Sequence, residues 1–179
     1  MKKILSLLLL LLLLTGCGGN NARNAVDSYL KKYRNLSSEV LVDLENTITK
    51  ENLTNEQQEK YRDVLKKQYK DLTYEIVEEQ YDDDASYVTV KVSVYDLYKA
   101  QSDASIYLAN NPDEFNDNTG VYDNDKYTDY KLDRMKNITE KVDYTITFTV
   151  TKENDKYVVE QPTEIDLQKI HGVYNYELD

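Results

Sequence analysis

Val88-Thr89-Val90-Lys91-Val92-Ser93-Val94 is a run in which valine alternates with a polar residue at every step. Successive side chains of a strand point to opposite faces, so this period of two predicts a half-buried strand. A second stretch shows the same alternation, with its apolar positions at Val142, Tyr144, Ile146, Phe148 and Val150. Together the two stretches predict an antiparallel sheet with one apolar face.

Each of these strands has a shorter extended neighbour in the sequence. Tyr74–Glu78 precedes the first strand, and the turn-forming residues Asp82–Ala85 separate the two. Tyr157–Glu160 follows the second strand, across the polar turn Glu153–Asp155. The sequence therefore predicts two hairpins.

Three helices are expected before the first hairpin. Apolar residues at helical spacing predict a helix over Ala22–Arg34, and a second helix carries Val40, Leu41, Leu44 and Ile48. Thr54 and Gln57 form a capping-box pattern that opens a third helix. The apolar stripe of that helix consists of Tyr61, Val64, Leu65, Tyr69 and Leu72.

The segment between the hairpins is charged and largely helical. Leu97–Asn110 predicts a helix that stops before a proline. Pro112–Asp125 is rich in Asp and Asn and contains a glycine, which predicts an exposed loop. Lys126–Lys141 predicts another helix, with Leu132, Met135 and Ile138 on one side.

The last predicted element is a short helix that Thr163 caps and Gly172 ends. Its apolar residues are Ile165, Leu167 and Ile170. No internal repeat or linker divides residues 22–179. The expected fold class is α+β, a single domain in which helices pack on one side of a twisted antiparallel sheet.

This order of elements resembles the nuclear transport factor 2-like, or cystatin-like, cone fold found in many small bacterial lipoproteins. The likeness is carried by the opening helix Ala22–Tyr33, the Val88–Val94 strand and the Tyr144–Glu160 hairpin. Members of that class often place Trp where Tyr157 stands, and the insert Leu97–Lys141 is longer than their usual connection. Several enzymes share the fold, so the resemblance also implies that a cavity between sheet and helices must be considered.

Leu14-Thr15-Gly16-Cys17 ends a segment that opens with two lysines and continues as an apolar run from Ile4 to Leu14. A basic start, a short apolar run and small residues before a cleavage point are typical of a secretory signal. The tetrapeptide resembles the lipobox of bacterial lipoproteins. The resemblance implies that residues 1–16 are removed as a signal peptide and that a diacylglycerol is attached to the Cys17 sulfur.

Residues 17–21 would then form a lipidated tether with an extended length of about 17 Å. Two acyl chains give stable anchoring, where one gives only marginal binding. The implied location is the cell membrane, with the domain on its extracytoplasmic side. Whether the envelope has one membrane or two stays open.

The charge of the chain restricts its partners. Loss of Lys2 and Lys3 with the signal peptide leaves 20 basic and 33 acidic side chains, a net charge of −13. A surface of this sign repels phosphate backbones, so direct nucleic-acid binding is excluded as a working hypothesis. It also repels anionic headgroups, so the domain is expected to touch the bilayer only through its anchor.

Two single side chains are candidates for chemistry. Cys17, the one cysteine, could be a nucleophile or a metal ligand, but lipid attachment explains it better because no partner base accompanies it. His171, the one histidine, lies at a helix end where a cation suits the helix dipole, and Asp166 is only its neighbour in sequence. On the inward-facing strand positions, only the Tyr144 hydroxyl is polar, which indicates filled core.

Acidic residues in two loops raise the possibility of calcium. They are Asp82, Asp83, Asp84, Asp113, Glu114, Asp117, Asp123 and Asp125. A calcium loop needs ligands at fixed spacing and a glycine for its sharp turn. The stretch from Asp123 lacks that glycine and would place Arg134 at the twelfth position. We therefore expect solvated loops, with no metal and no cofactor.

Three hypotheses of function remain. The first is a non-catalytic protein-interaction or envelope-support module, using the acidic Asn110–Asp129 region or the threonine-rich outer face of the sheet. The second is a small-ligand binder with a cavity under the helices, and the third and least favoured is an enzyme. A pocket above about 300 Å³ with convergent polar groups would favour the second or third. The sequence favours the first, with a protein partner in the cell envelope.

Overall fold

The computed structural model describes residues 21–82 and 84–178. The predicted signal peptide, the lipobox with Cys17 and most of the tether lie outside these residues, as does Asp83 of the predicted turn. Within the described part, no helix is both long and apolar enough to cross a membrane.

Three helices open the described chain, as predicted. They are α1 (Ala22–Arg34), α2 (Ser38–Lys50) and α3 (Asn55–Lys70). Each begins at a polar cap, because the side chains of Asn21, Ser37 and Thr54 accept hydrogen bonds from backbone N–H groups of the first turn. The capping box between Thr54 and Gln57 is confirmed in both directions. Gln57 is also buried and donates to the carbonyl of Asp125, which ties α3 to a distant helix.

Four strands form one antiparallel sheet in the order β1-β2-β3-β4. They are β1 (Thr73–Tyr81), β2 (Ala85–Tyr95), β3 (Lys141–Glu153) and β4 (Lys156–Val159). β1 is longer than the predicted Tyr74–Glu78, and its register with β2 shifts between Ile76 and Glu78. The long pair β2–β3 runs without a break from Ala85 opposite Thr151 to Tyr95 opposite Lys141. Both predicted hairpins are confirmed.

The apolar face of the sheet is covered by helices and the other face is hydrated. Val88, Val90, Val92 and Val94 are each 0% exposed, and of their partners on β3, Phe148, Ile146 and Tyr144 are buried while Val142 is partly buried. Helix α1 contacts all four strands, while α3 packs on β2. The opposite face carries the Thr89–Thr147 hydroxyl pair and the Lys91–Asp143 ion pair. The α+β class with helices on one side of the sheet is therefore confirmed.

The segment between the hairpins differs from the sequence prediction. Helix α4 (Leu97–Asn110) is confirmed, but α5 runs from Asn124 to Asn137 rather than over Lys126–Lys141. Asp123 caps α5, which begins two residues earlier than predicted, and Lys141 already pairs with Tyr95 in the sheet.

The predicted exposed loop Pro112–Asp125 is wrong in part. It contains the 3-10 helix Pro112–Phe115 and an isolated bridge between Asn116 and Tyr122. Phe115 is only 4% exposed, because the rings of Tyr107, Tyr127 and Tyr130 surround it. We call Ala104, Tyr107, Phe115, Tyr127 and Tyr130 the aromatic lobe.

The C-terminal helix α6 (Glu164–His171) is confirmed with its cap at Thr163. It ends at Gly172, whose φ of 72° lies in the left-handed region that favours glycine. A 3-10 turn, Tyr176–Leu178, follows. α6 contacts α3 and β2, so the end of the chain closes one end of the helical layer.

Candidate functional site

A cleft of about 520 Å³ opens between α1, α2, α3, α6 and β4. Tyr29 and Tyr33 line it from α1, Asp43 from α2, Tyr69 from α3 and His171 from α6. This is not the cavity that the resemblance implied, because the space between the sheet and the helices is filled by buried side chains. The cleft lies instead where the helices meet the β4 edge of the sheet.

A continuous row of aromatic rings forms the inner wall of this cleft. Phe148 of β3 contacts Tyr29 with ring centroids 5.7 Å apart, and Tyr29 contacts Tyr33 at 5.6 Å. Tyr33 meets Tyr69 edge to face at 5.2 Å, and Tyr69 meets His171 at 5.6 Å. The row therefore connects the sheet core to the C-terminal helix through α1 and α3.

The sequence places Tyr29 and Tyr33 together because they are four residues apart on α1. Side chains at this spacing share one face of a helix. Their hydroxyl oxygens are 3.3 Å apart and make a hydrogen bond. Tyr33 is 7% exposed and Tyr69 is 2% exposed, so only a small part of either side chain is open to solvent.

The phenol groups of this row are held neutral. Burial raises the pKa of Tyr29, Tyr33 and Tyr69, and the negative charge of Asp43 adds to the increase at each of them. Asp43 lines the same cleft as these three tyrosines. At neutral pH the cleft therefore presents intact phenol hydroxyls beside a carboxylate.

Helix α2 supplies the polar side of the cleft. Asp43, Asn46, Thr47 and Lys50 all line it. Their spacing of three, four and seven residues places them on one face of the helix. Across the cleft, Lys32 of α1 makes an ion pair with Glu39 at 2.6 Å.

His171 is brought into the cleft, but not as the cation that its place at a helix end suggested. Burial lowers the pKa of its imidazole from 6.5 to about 4, so the ring is neutral at pH 7. The prediction of a favourable charge–dipole contact is therefore wrong, because the cost of burying a cation exceeds the gain. Asp166 does not orient the ring, since its carboxylate accepts a hydrogen bond from the Thr163 hydroxyl at 2.6 Å.

Tyr144 lies outside the cleft, on the buried face of the sheet. Its hydroxyl donates to the carbonyl of Tyr174 at 3.5 Å, and its ring meets the Tyr174 ring edge to face. Burial raises its pKa as well. The expectation that Tyr144 is a core residue is confirmed.

The acidic loop residues are used locally. Asp117 accepts hydrogen bonds from Thr119 and from the Val121 N–H, and Glu114 accepts one from the Tyr107 hydroxyl. Asp123 caps α5. In the part of the chain that the structure describes, no three His, Cys, Asp or Glu side chains are grouped so that they could hold a metal ion.

A second cleft, of about 480 Å³, lies beside α4 and is lined in part by Tyr61, Tyr98 and Gln101. The Tyr98 hydroxyl already donates to Glu177 at 2.9 Å, and its ring packs against Tyr176. Burial raises the pKa of Tyr61 to about 12. Fewer polar groups converge here than in the cleft with Asp43 and the tyrosine row, which we take as the candidate site.

Sequence reasoning missed this site. Tyr29, Tyr33 and Tyr69 fall at the spacing of ordinary apolar helix stripes, and Asp43 carries no signal of its own. The usable signal was the repetition of tyrosine within stripes that otherwise contain aliphatic residues. The convergence of Asp43 with His171 depends on the packing of α2 and α6 against α3, which no local pattern records.

Comparison with known proteins adds one finding. Residues 1–17 match the family described as the prokaryotic membrane lipoprotein lipid attachment site. This match indicates a membrane-anchored bacterial lipoprotein. Searches of curated proteins and of solved structures return no match to the chain.

Proposed function

We propose that the protein is a lipoprotein held at the extracytoplasmic face of the cell membrane through Cys17, and that it binds a ligand in the cleft without catalysing a reaction. The observation that carries the proposal is the cleft of about 520 Å³ with convergent phenol hydroxyls and a carboxylate. Pockets of this size with a few placed polar groups are typical of small-ligand sites.

The attachment site at residues 1–17 supports the anchor. From Cys17 to Asn21, where α1 is capped, the chain can reach about 17 Å at most. Tyr29 lies a further eight residues along, which adds about 12 Å of helix. The cleft is thus within about 30 Å of the proposed thioether, so a ligand at the membrane surface is within reach.

The titration of the cleft supports binding rather than catalysis. General acids and bases work best with pKa values near the working pH. The imidazole of His171 has its pKa lowered to about 4 by burial, and the three phenols have theirs raised. None of these groups exchanges a proton readily at pH 7, while all of them can make hydrogen bonds.

As part of the same proposal, we assign the domain to the nuclear transport factor 2-like, or cystatin-like, cone fold. It is supported by the long helix α1, which contacts all four strands of an antiparallel sheet. Fold likeness supplies no activity by itself, so the functional argument rests on the cleft alone.

A blocking substitution tests the binding site. Thr47→Trp places a large ring in the cleft, whereas Val42→Trp adds the same ring on an exposed face of α2, where Val42 is 59% exposed. Ligand-observed NMR against a panel of small amines, sugars, amino acids and organic acids should find compounds that bind wild type and the Val42 variant but not the Thr47 variant. Failure of every compound, or conversion of a bound compound into product, would contradict the proposal.

The anchor has its own test. Intact-mass analysis of the membrane fraction should show loss of residues 1–16 and a diacylglycerol on Cys17. Cys17→Ala should abolish both changes, and an unmodified soluble wild-type chain would contradict lipid attachment.

A second candidate, a protein-interaction module, is favoured by the surface of the aromatic lobe. Ile106, Val121 and Tyr122 are 57%, 61% and 47% exposed there, close to the acidic residues of the same segment. Crosslinking in cells from position 122, followed by mass spectrometry, would support this function if one envelope protein is captured and if Val121→Asp prevents its capture.

A further inference from the structure

The Asp43 carboxylate has no counter-ion in the described chain. Lys32 is engaged by Glu39 at 2.6 Å, and Lys31 on the same helix is engaged by Asp27 at 2.6 Å. Lys50 lies seven residues further along α2, which is about 10 Å. His171 is neutral, because burial lowers its pKa to about 4. Asp43 is therefore a solvent-exposed carboxylate without an ion pair in the described chain, in a cleft whose other charged lining residues are Lys32, Glu39 and Lys50.

The hydroxyl groups that line the cleft with Asp43 can accept hydrogen bonds. The Tyr29 and Tyr33 hydroxyl oxygens are 3.3 Å apart, and one hydroxyl donates a hydrogen bond to the other. Each phenol oxygen can accept as well as donate, and an ionised carboxylate can only accept. A ligand group that fits must bring several N–H or O–H donors and, to match Asp43, a positive charge.

A primary ammonium group meets this requirement. It carries three donors and one positive charge on a compact centre. A quaternary ammonium has no N–H to donate, and it is held instead by open aromatic faces. Tyr33 and Tyr69 are 7% and 2% exposed, so their faces are packed against neighbouring rings and are not available. The net charge of −11 attracts cations to the surface in general.

We propose that the cleft binds the primary ammonium group of a small ligand, with Asp43 as its ionic partner and the Tyr29 and Tyr33 hydroxyls as hydrogen-bond partners. This inference rests on the proposed binding function and names the ligand class. The ammonium group can belong to a free small amine or to the aminoethyl headgroup of a phospholipid, since the cleft lies within about 30 Å of the anchor.

The test uses the full lipidated chain in a neutral detergent, with ethanolamine and choline as probes in isothermal titration calorimetry. Ethanolamine should bind at least tenfold more tightly than choline. Asp43→Asn should weaken ethanolamine binding at least tenfold, and Tyr33→Phe severalfold. Asp63→Asn is the matched control, because Asp63 is an exposed acid on α3 outside the cleft, and it should leave binding unchanged.

The outcomes distinguish a wrong ammonium assignment from a wrong binding function. Equal binding of ethanolamine and choline, or full affinity in Asp43→Asn, would overturn the ammonium assignment. If instead sugars or organic acids bind and Thr47→Trp removes them, the ligand class is wrong while the binding function stands. If no probe of any class binds, both fail.

An experiment in nanodiscs distinguishes a phospholipid headgroup from a free amine as the source of the ammonium group. Weaker apparent binding of ethanolamine to chain in phosphatidylethanolamine nanodiscs than in phosphatidylcholine nanodiscs supports the proposal and assigns the lipid headgroup. Equal binding in the two supports it and assigns a free amine.

Discussion

The side chain of Gln68 makes two hydrogen bonds to the backbone of Tyr95, one as donor to its carbonyl and one as acceptor from its N–H, each at 3.0 Å. The same amide nitrogen also donates to the carbonyl of His171 at 3.0 Å. Gln68 is 1% exposed. One buried amide on α3 thus joins the end of β2 to the end of α6, beside the cleft.

Gln68→Leu should therefore destabilise the fold. It would leave the N–H and carbonyl of Tyr95 and the carbonyl of His171 without their partner, in a place that water does not reach. Unsatisfied buried groups cost about 1–3 kcal/mol each, so we expect a loss of roughly 3 kcal/mol in the free energy of unfolding. Urea unfolding measures it. Gln80→Leu, at an exposed glutamine, should change stability by less than about 0.5 kcal/mol, and equal effects of the two would refute the bridging role.

Gly172→Ala should act on the same junction. The space that a Cβ would need at Gly172 is occupied by the Gln68 amide and the Tyr95 carbonyl, and φ is 72°. The left-handed conformation alone costs a non-glycine residue about 1–2 kcal/mol, and displacing the backbone carbonyl adds more. We expect a loss of about 3 kcal/mol or more in urea unfolding.

Gly120 offers a matched control for this substitution. Its φ is 83°, yet nothing lies within 4 Å of an added Cβ. Gly120→Ala should cost only the conformational part, about 1 kcal/mol. The Gly172 and Gln68 effects should also be non-additive, because they disturb one contact. Additive losses would show that the two residues act separately.

The sheet could be predicted from the sequence because the pattern that indicates it is local. Val88 to Val94 alternate with polar residues, and the buried face of a strand follows from that alternation alone. The candidate site could not be predicted from the sequence. Tyr29 and Tyr33 continue an apolar stripe, and they become part of a cleft only because α2 and α6 also line it. Phe115 was missed for a similar reason, because its partners Tyr107 and Tyr130 lie on two other elements.

Phe115→Ala should loosen the aromatic lobe more than the rest of the protein. Phe115 is 4% exposed and packs outside the main core cluster. Truncating a buried Phe costs about 3–5 kcal/mol, and here the loss falls on a few contacts among α4, the 3-10 helix and α5. Hydrogen exchange should accelerate in residues 104–130 and change little in β2 and β3. Tyr122→Ala, at a residue 47% exposed, is the control and should leave exchange unchanged. Uniform acceleration over the chain would contradict a separate lobe.

His171 should make the free energy of unfolding depend on pH between about 6.5 and 4. The ordinary pKa of 6.5 applies to the unfolded chain, and burial lowers the folded value to about 4. Between these values the unfolded chain binds a proton that the folded chain does not, so stability falls as pH falls. From pH 7 to pH 4.5 the free energy of unfolding should drop by about 2–3 kcal/mol.

The upper part of this window belongs to His171, because the chain has one histidine, whereas Glu45, whose pKa the hydrogen bond from Arg62 lowers from 4.5, contributes only at its lower end. Hydrogen bonds from Thr119 to Asp117 and from Lys91 to Asp143 lower the pKa of these carboxyl groups below 3.8, so their loss comes at lower pH. Denaturant unfolding of His171→Gln should lack the fall between pH 6.5 and 4.5, while Lys169→Gln, on the same helix, should keep it. If the free energy of unfolding of His171→Gln still falls in this range, another group causes the pH dependence. The imidazole of wild type would then titrate normally in the folded chain, and the conclusion that His171 is neutral because it is buried would be wrong.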